Sequence, residues 1–274
     1  MAHEAQERYS SLVDAKLRAT LVKKDGVIFS TRYEGNPKAG AVKIPVRDTE
    51  VEVKAYDKAK GIEGSTGATT YLKMEIDHDD AVNEIIDGYD SASVPDNLVA
   101  DRLDSAGYSL ALKTESYATV CLESAATVHE EGKVLTAQNT YETVIGMRTA
   151  ASKAGVPNDG HRWLLVSPEV YGTLLLDDHF VHATDLGDQV IATGAVGKIG
   201  GFLVFEDTTL SETTDMIAGH PNWCHHVNEW SVPVHLQDLN GSGNYIGASA
   251  VQGRIVQGYK VSKPKTLLIR KHTA

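Results

Sequence analysis

The chain has 274 residues, 42% of them hydrophobic and 23% charged. That is an ordinary globular balance, with enough length to bury a real core, and it excludes disorder over most of the chain. Lys and Arg number 26 against 37 Asp and Glu, a formal net charge of -11, which excludes a sequence-independent grip on DNA or RNA and an anionic membrane as partner.

In chain order, Tyr9, Val13, Leu17 and Leu21 fall four apart among Glu7, Arg8, Lys16 and Arg18, which predicts an amphipathic helix over residues 1–24. The start MAHEAQERYSS has no signal pattern, and no apolar run reaches the roughly 18 residues of a membrane span, so synthesis in the cytosol is expected. Residues 35–40 read as a loop. Val42, Ile44 and Val46, then Val51, Val53 and Ala55, then Leu72, Met74 and Ile76 alternate with polar neighbours and predict three strands around a glycine-rich tip at 58–67. Such a long ribbon is marginal alone in water and has no obvious partner in the chain; a second copy is the expected support. Ser93, Pro95 and Asp96 suit a helix start, and Val99, Leu103, Ala106, Leu110, Thr114, Tyr117, Cys121 and Ala125 form one stripe, predicting a helix over about 94–126. A helix is expected at 141–154, a buried strand at 163–166, a helix starting at Ser167-Pro168-Glu169, mostly loop over 185–201, a strand at 202–205, and alternating C-terminal strands through Val251, Ile255, Tyr259 and Val261 and then 266–269. Cys121 falls in the long helix and Cys224 in an expected loop, and no disulfide is expected in a reducing compartment. The layout is α+β, not a doubly wound nucleotide fold.

Several local patterns point to chemistry and fall short of it. The run Gly194 to Ile199 lacks the glycine, hydroxyl and following helix of a phosphate loop: Ala192 and Ile199 stand at the deciding positions. Cys224-His225-His226 with His220 suggests zinc, but neighbours on a strand point to opposite faces and no second ligand cluster follows. Asp77, Asp79, Asp80, Glu84 and Asp87 lack calcium-loop spacing and read as a solvated strand-to-helix junction, with a structural cation between subunits left open. G-x-S-x-G is absent. No catalytic residue, cofactor or metal site is assigned.

The order of parts resembles the major capsid proteins of tailed bacteriophages, the Hong Kong 97-type fold. The matching segments are Ala41-Val42-Lys43-Ile44-Pro45 with the ribbon to Glu75-Ile76-Asp77, the helix from Val94 to Ala126, and Arg162 to Tyr171 followed by Ala183-Thr184-Asp185 and Gly194 to Phe202. The resemblance implies an N-terminal arm (1–40), an extended β-hairpin loop (41–77), a peripheral domain with a spine helix (78–135), an α/β axial domain (136–245) and C-terminal strands returning to the peripheral domain (246–274). It implies self-assembly of many copies, as pentamers and hexamers, into an icosahedral shell around double-stranded DNA, in a virion assembled in the host cytoplasm. With about 40 residues before Val42, a separate scaffolding protein is expected instead of a fused one, beside a portal and a decoration protein. The acidic charge agrees with a neutral to acidic inner wall that does not stall packaged DNA.

Tyr9, Val13, Leu17, Lys54, Tyr56, Lys58, Lys60 and Ile62 are the expected subunit-interface residues of arm and ribbon. Family ribbons sometimes crosslink through a lysine, but nothing singles out Lys54, Lys58 or Lys60, so surface solubility is the plainer reading. Trp223 and Trp230 stand in a polar stretch, either as contacts around the capsomer axis or as packing for the chain's own core. Two other readings are carried: an encapsulin-like compartment shell holding cargo, and a metal-dependent enzyme built on His220, Cys224 and His226.

Overall fold

A computed structural model describes the chain apart from residues 1–15, 17, 35–39, 48–49, 65, 94–96, 177–180, 183–194 and 274, and apart from the side chains of 181 and 182. Residues 18–34 run as an irregular strap. β1 (Ala41–Val46) and β2 (Thr70–Glu75) form an antiparallel ribbon. β3 (His78–Asp87) follows, then a short helix α1 (Gly88–Ser93) and the long helix α2 (Leu98–Ala125). Next come β4 (Thr127–Gly132), α3 (Thr140–Lys153), β5 (Trp163–Val166), α4 (Pro168–Leu175), β6 (Val181–His182), β7 (Gly197–Ile199), β8 (Phe202–Glu206) and β9 (Thr214–Gly219). A 3-10 turn at Pro221–Trp223 leads into β10 (Cys224–Asp238) and β11 (Ala248–Val261), and a second at Pro264–Thr266 into β12 (Leu268–His272).

A seven-stranded mixed sheet, in the order β4-β12-β9-β5-β8-β7-β6, is the centre of the fold. Trp163-Leu164-Leu165-Val166 is fully buried because β5 is an inner strand covered on both faces. Leu164 and Val166 face α3 and α4 through Val144, Met147, Val170 and Leu174. Trp163 and Leu165 face the second half of α2 through Ala118 and Leu122, together with Ile28 and Phe29 of the strap. α4 begins as expected: Ser167 Oγ accepts from Val170 N and Pro168 fills the first turn.

A second sheet, β10-β11-β3, is long and antiparallel and packs on α2. This crosses the expected boundary at 245. β10 lies in the expected axial span yet pairs with β11, whereas β4 and β12, expected in the peripheral part, pair in the seven-stranded sheet. The strand after Pro264 starts at Leu268, later than expected, because residues 264–266 close a 3-10 turn. The segment expected as loop contains the strand β7, paired with β8, and Cys224 opens β10 instead of lying in a loop.

The long helix differs from expectation at its start. Ser93 ends α1, and Asn97, with φ of 52°, turns the chain into α2; Pro95 and Asp96 lie outside the described residues. At 28 residues, α2 spans about 42 Å. It is covered along two flanks, not one stripe. Leu98, Val99, Leu103 and Ala106 pack against Ile86 and Val251 of the second sheet, while Glu115, Ala118, Thr119 and Leu122 are buried farther along. Leu103→Asp would set an unpaired carboxylate against Ile86 and Val251, and a loss of about 1–3 kcal/mol is expected. Thermal unfolding measures it, and an unchanged midpoint would contradict this packing.

Candidate subunit interface

The ribbon has a covered base and a bare end. Ile44 and Met74 are buried with Val227 of β10. Where the ribbon crosses β11, a Cβ on Gly258 would stand 2.4 Å from the Glu75 carbonyl oxygen, so the close approach requires glycine there. Pairing stops at Val46 opposite Thr70. The expected strand at 51–55 does not form: among the described residues the Val-Glu-Val-Lys-Ala alternation finds no partner strand and no surface to bury against, and Val51 and Val53 are 86% and 95% exposed. Tyr56 and Ile62 are exposed too. Lys58 and Lys60 lie within a tight turn in which Asp57 O accepts from Gly61 N at 2.8 Å and Asp57 Oδ1 accepts from Ala59 N at 2.8 Å. Lys54 pairs with Glu52 at 3.2 Å. All five ribbon candidates, Lys54, Tyr56, Lys58, Lys60 and Ile62, therefore sit on one bare projection.

The arm corrects the helical expectation over its described part. Tyr9, Val13 and Leu17 lie outside the described residues. Residues 18–24 are extended because tertiary partners take the amides that a helix would use: Val22 N and Lys23 N donate to Glu115 Oε1 at 2.9 and 3.0 Å. Lys23 Nζ, with a fully buried side chain, contacts Asp207 and Glu115 and donates to Thr209 Oγ1 at 2.8 Å. Lys16 and Arg18 pair with Asp101 and Asp104 on α2. This stretch is covered within one copy, contrary to the expectation of an unsupported arm.

The two tryptophans separate. Trp223 is half-buried and packs on the α3/α4 core, while Trp230 is 44% exposed with the Arg254 guanidinium 5.3 Å over its ring. The acidic run is not a junction but the strand β3, and its carboxylates have separate partners: Asp79 with Arg254, Asp80 with Tyr117, Glu84 with Arg102. His220 bonds Asp159 at 3.1 Å, His225 bonds Ser262 at 3.0 Å, and His226 bonds Asp25 at 2.9 Å and Gln257 at 3.2 Å. Among the described residues no three His, Cys, Asp or Glu side chains converge as a metal cluster.

Burial, then the nearby Arg32 charge, pushes His225 down to about 4. Its ordinary value is 6.5, so between the two values the unfolded chain binds a proton that the folded one does not. Stability is therefore full above pH 6.5 and falls as the pH drops toward 4. The slope from this group is at most about 1.4 kcal/mol per pH unit. Denaturant unfolding across that range should show a shallower slope for His225→Gln; equal slopes would remove the assignment.

An open groove of about 720 Å³ lies between β2, the second half of α2 and β11, lined in part by Leu72, Tyr117, Val120 and Cys121.

No known family model matches the sequence, and no curated protein matches it. Solved structures do match the fold. A chain from the structure of Mycobacterium phage Che8 shares 21% identity with a TM-score of 0.75, over 97% of this chain and 96% of that one. A chain from the capsid of cyanophage P-SCSP1u shares 13% at 0.79, over 98% and 93%. A chain from the capsid of an empty GTA particle shares 12% at 0.67, over 98% and 96%. The protein thus has, along nearly its whole length, the fold found in phage capsid structures. Among the described residues no helix is long and apolar enough to cross a membrane.

Proposed function

We propose that this chain is the major coat protein of a tailed phage head, of Hong Kong 97 type, which self-assembles as pentamers and hexamers into an icosahedral shell around double-stranded DNA. The observation that carries the reading is the bare ribbon end: Val51, Val53, Tyr56 and Ile62, each half or more exposed, gather on one projection. Solvent-exposed apolar side chains clustered on one projection mark a protein contact, and near-complete overlap with a fold found in a phage capsid supports reading that contact as one between subunits. The ribbon end would lie on a neighbouring subunit, with Tyr56 and Ile62 as apolar contacts and Lys54, Lys58 and Lys60 at their rim. Tyr9, Val13 and Leu17 would extend the arm to another copy. The three-stranded sheet with α2 would serve as the peripheral part and the seven-stranded sheet as the axial part. Each such contact is weak alone; linked around a closed shell, they become durable. A role as structural protein, with no catalytic step, follows, and a separate scaffold, a portal and a decoration protein are the proposed partners.

Electron microscopy and sedimentation of the purified chain, alone and with its scaffold, test this. Shells, capsomers or scaffold-dependent shells are expected. Small oligomers under every condition, scaffold included, would overturn it.

A further inference from the structure

Where the strap, the ribbon base and the start of β10 meet, a cleft of about 270 Å³ opens. Its described lining includes three cationic side chains, Arg32, Arg47 and Lys263, and no carboxylate. The other clefts described on this molecule each carry at least one acidic side chain: Asp77, Asp215, Asp25 and Asp159 respectively. In a chain of net charge -11, the reversal of sign is local.

The cationic groups are placed to receive something. Arg32 Nε donates to Ser30 Oγ at 2.9 Å, and one terminal nitrogen donates to the Asn222 carbonyl at 2.7 Å. Both acceptors are neutral, so the guanidinium is fixed in place with its charge uncompensated by them. Arg47, at the exposed end of the ribbon base, has no hydrogen bond or ion pair among the described residues. Lys263 has a partner of its own and enters only as a nearby charge. His225 is 2% exposed and lines the cleft; its Nε2 meets Ser262 Oγ at 3.0 Å, and its buried Nδ1 has no partner. A buried polar atom left unpaired costs about 1–3 kcal/mol.

We propose that this cleft is an oxyanion site that takes a single phosphate group, held by Arg32 and Arg47 with the His225 ring behind them. Paired guanidinium groups match a tetrahedral oxyanion through forked, charge-assisted hydrogen bonds. A continuous duplex would bring its flanking phosphates against an acidic molecule, so free phosphate is the favoured source. An anion here would also offset the effect of Arg32 on His225, which makes the ring a reporter of occupancy. The site belongs to the subunit and does not depend on the shell reading.

The experiment titrates the subunit with inorganic phosphate against sodium chloride at matched ionic strength, following the unfolding midpoint and the His225 ring resonances. A saturable rise in midpoint with phosphate alone, a matching shift of the ring resonances, and a half-saturation concentration raised about tenfold or more by Arg32→Gln with Arg47→Gln are expected, the tenfold corresponding to about 1.4 kcal/mol. If the double variant does not fold, Arg47→Gln alone repeats the comparison from an exposed position. Equal shifts with chloride, an unchanged response in the variants, or saturation by a short DNA duplex but not by phosphate would each overturn the proposal.

Discussion

Deleting residues 51–63 and joining Glu50 to Gly64 is expected to leave a folded subunit that no longer closes into shells. Every described apolar side chain removed, from Val51 to Ile62, is at least half exposed, and none belongs to a buried cluster. The strand pairing from Ala41 opposite Glu75 to Val46 opposite Thr70 stays intact, as does the packing of Ile44 and Met74 on Val227. Thermal stability should therefore change by no more than about 0.5 kcal/mol, the usual range for exposed positions. Assembly should respond very differently. A shell multiplies each linked contact over many copies, so the loss of one contact class removes closure without touching the subunit. Circular dichroism reports the first quantity, and sedimentation with electron microscopy the second. Normal shells from the deleted chain would remove the ribbon from the assembly mechanism. A milder version, Val53→Asp with Tyr56→Ser, should slow shell formation while keeping the wild-type unfolding midpoint.

The ribbon also shows where sequence reading works and where it stops. Alternation in 41–46 and 70–75 marks strands correctly because each segment has both a partner and a buried side. The same alternation in 51–55 reports only composition: no strand pairs with it and neither face is covered. The inverse failure is β3. His78, Asp80, Val82, Glu84 and Ile86 share the face toward α2, but the pattern is hidden by Asp80 and Glu84, whose partners Tyr117 and Arg102 come from the long helix. Continuous apolar runs such as 163–166 were legible because an inner strand needs nothing else. The cationic cleft was not legible at all, since Arg32, Arg47 and His225 are far apart in sequence and meet only through the crossing of strap, ribbon and β10. The described end of the arm, residues 18–24, departs from the expected helix for a similar reason: periodicity has no information about Glu115, which takes the backbone amides of Val22 and Lys23.

That last contact carries the other large expected effect. Lys23→Met should destabilise the subunit by about 3–5 kcal/mol, the range for breaking a buried ion pair by removing one partner. The lysine joins three separate elements: the strap itself, α2 through Glu115, and the turn after β8 through Asp207 and Thr209. Methionine fills similar volume, so the loss is electrostatic more than steric. Two buried carboxylates would then face each other without a cation, although Asp207 keeps the Thr209 amide and hydroxyl at 2.8 and 2.7 Å. This origin has a signature that a packing defect lacks. Adding Asp207→Asn to Lys23→Met should recover part of the loss at neutral pH, because one of the two uncompensated charges is gone. Denaturant unfolding of the wild type and both variants at pH 7 measures both effects. No recovery from Asp207→Asn would mean that Lys23 acts through packing alone, and the strap would lose its role as an electrostatic tie between the long helix and the seven-stranded sheet.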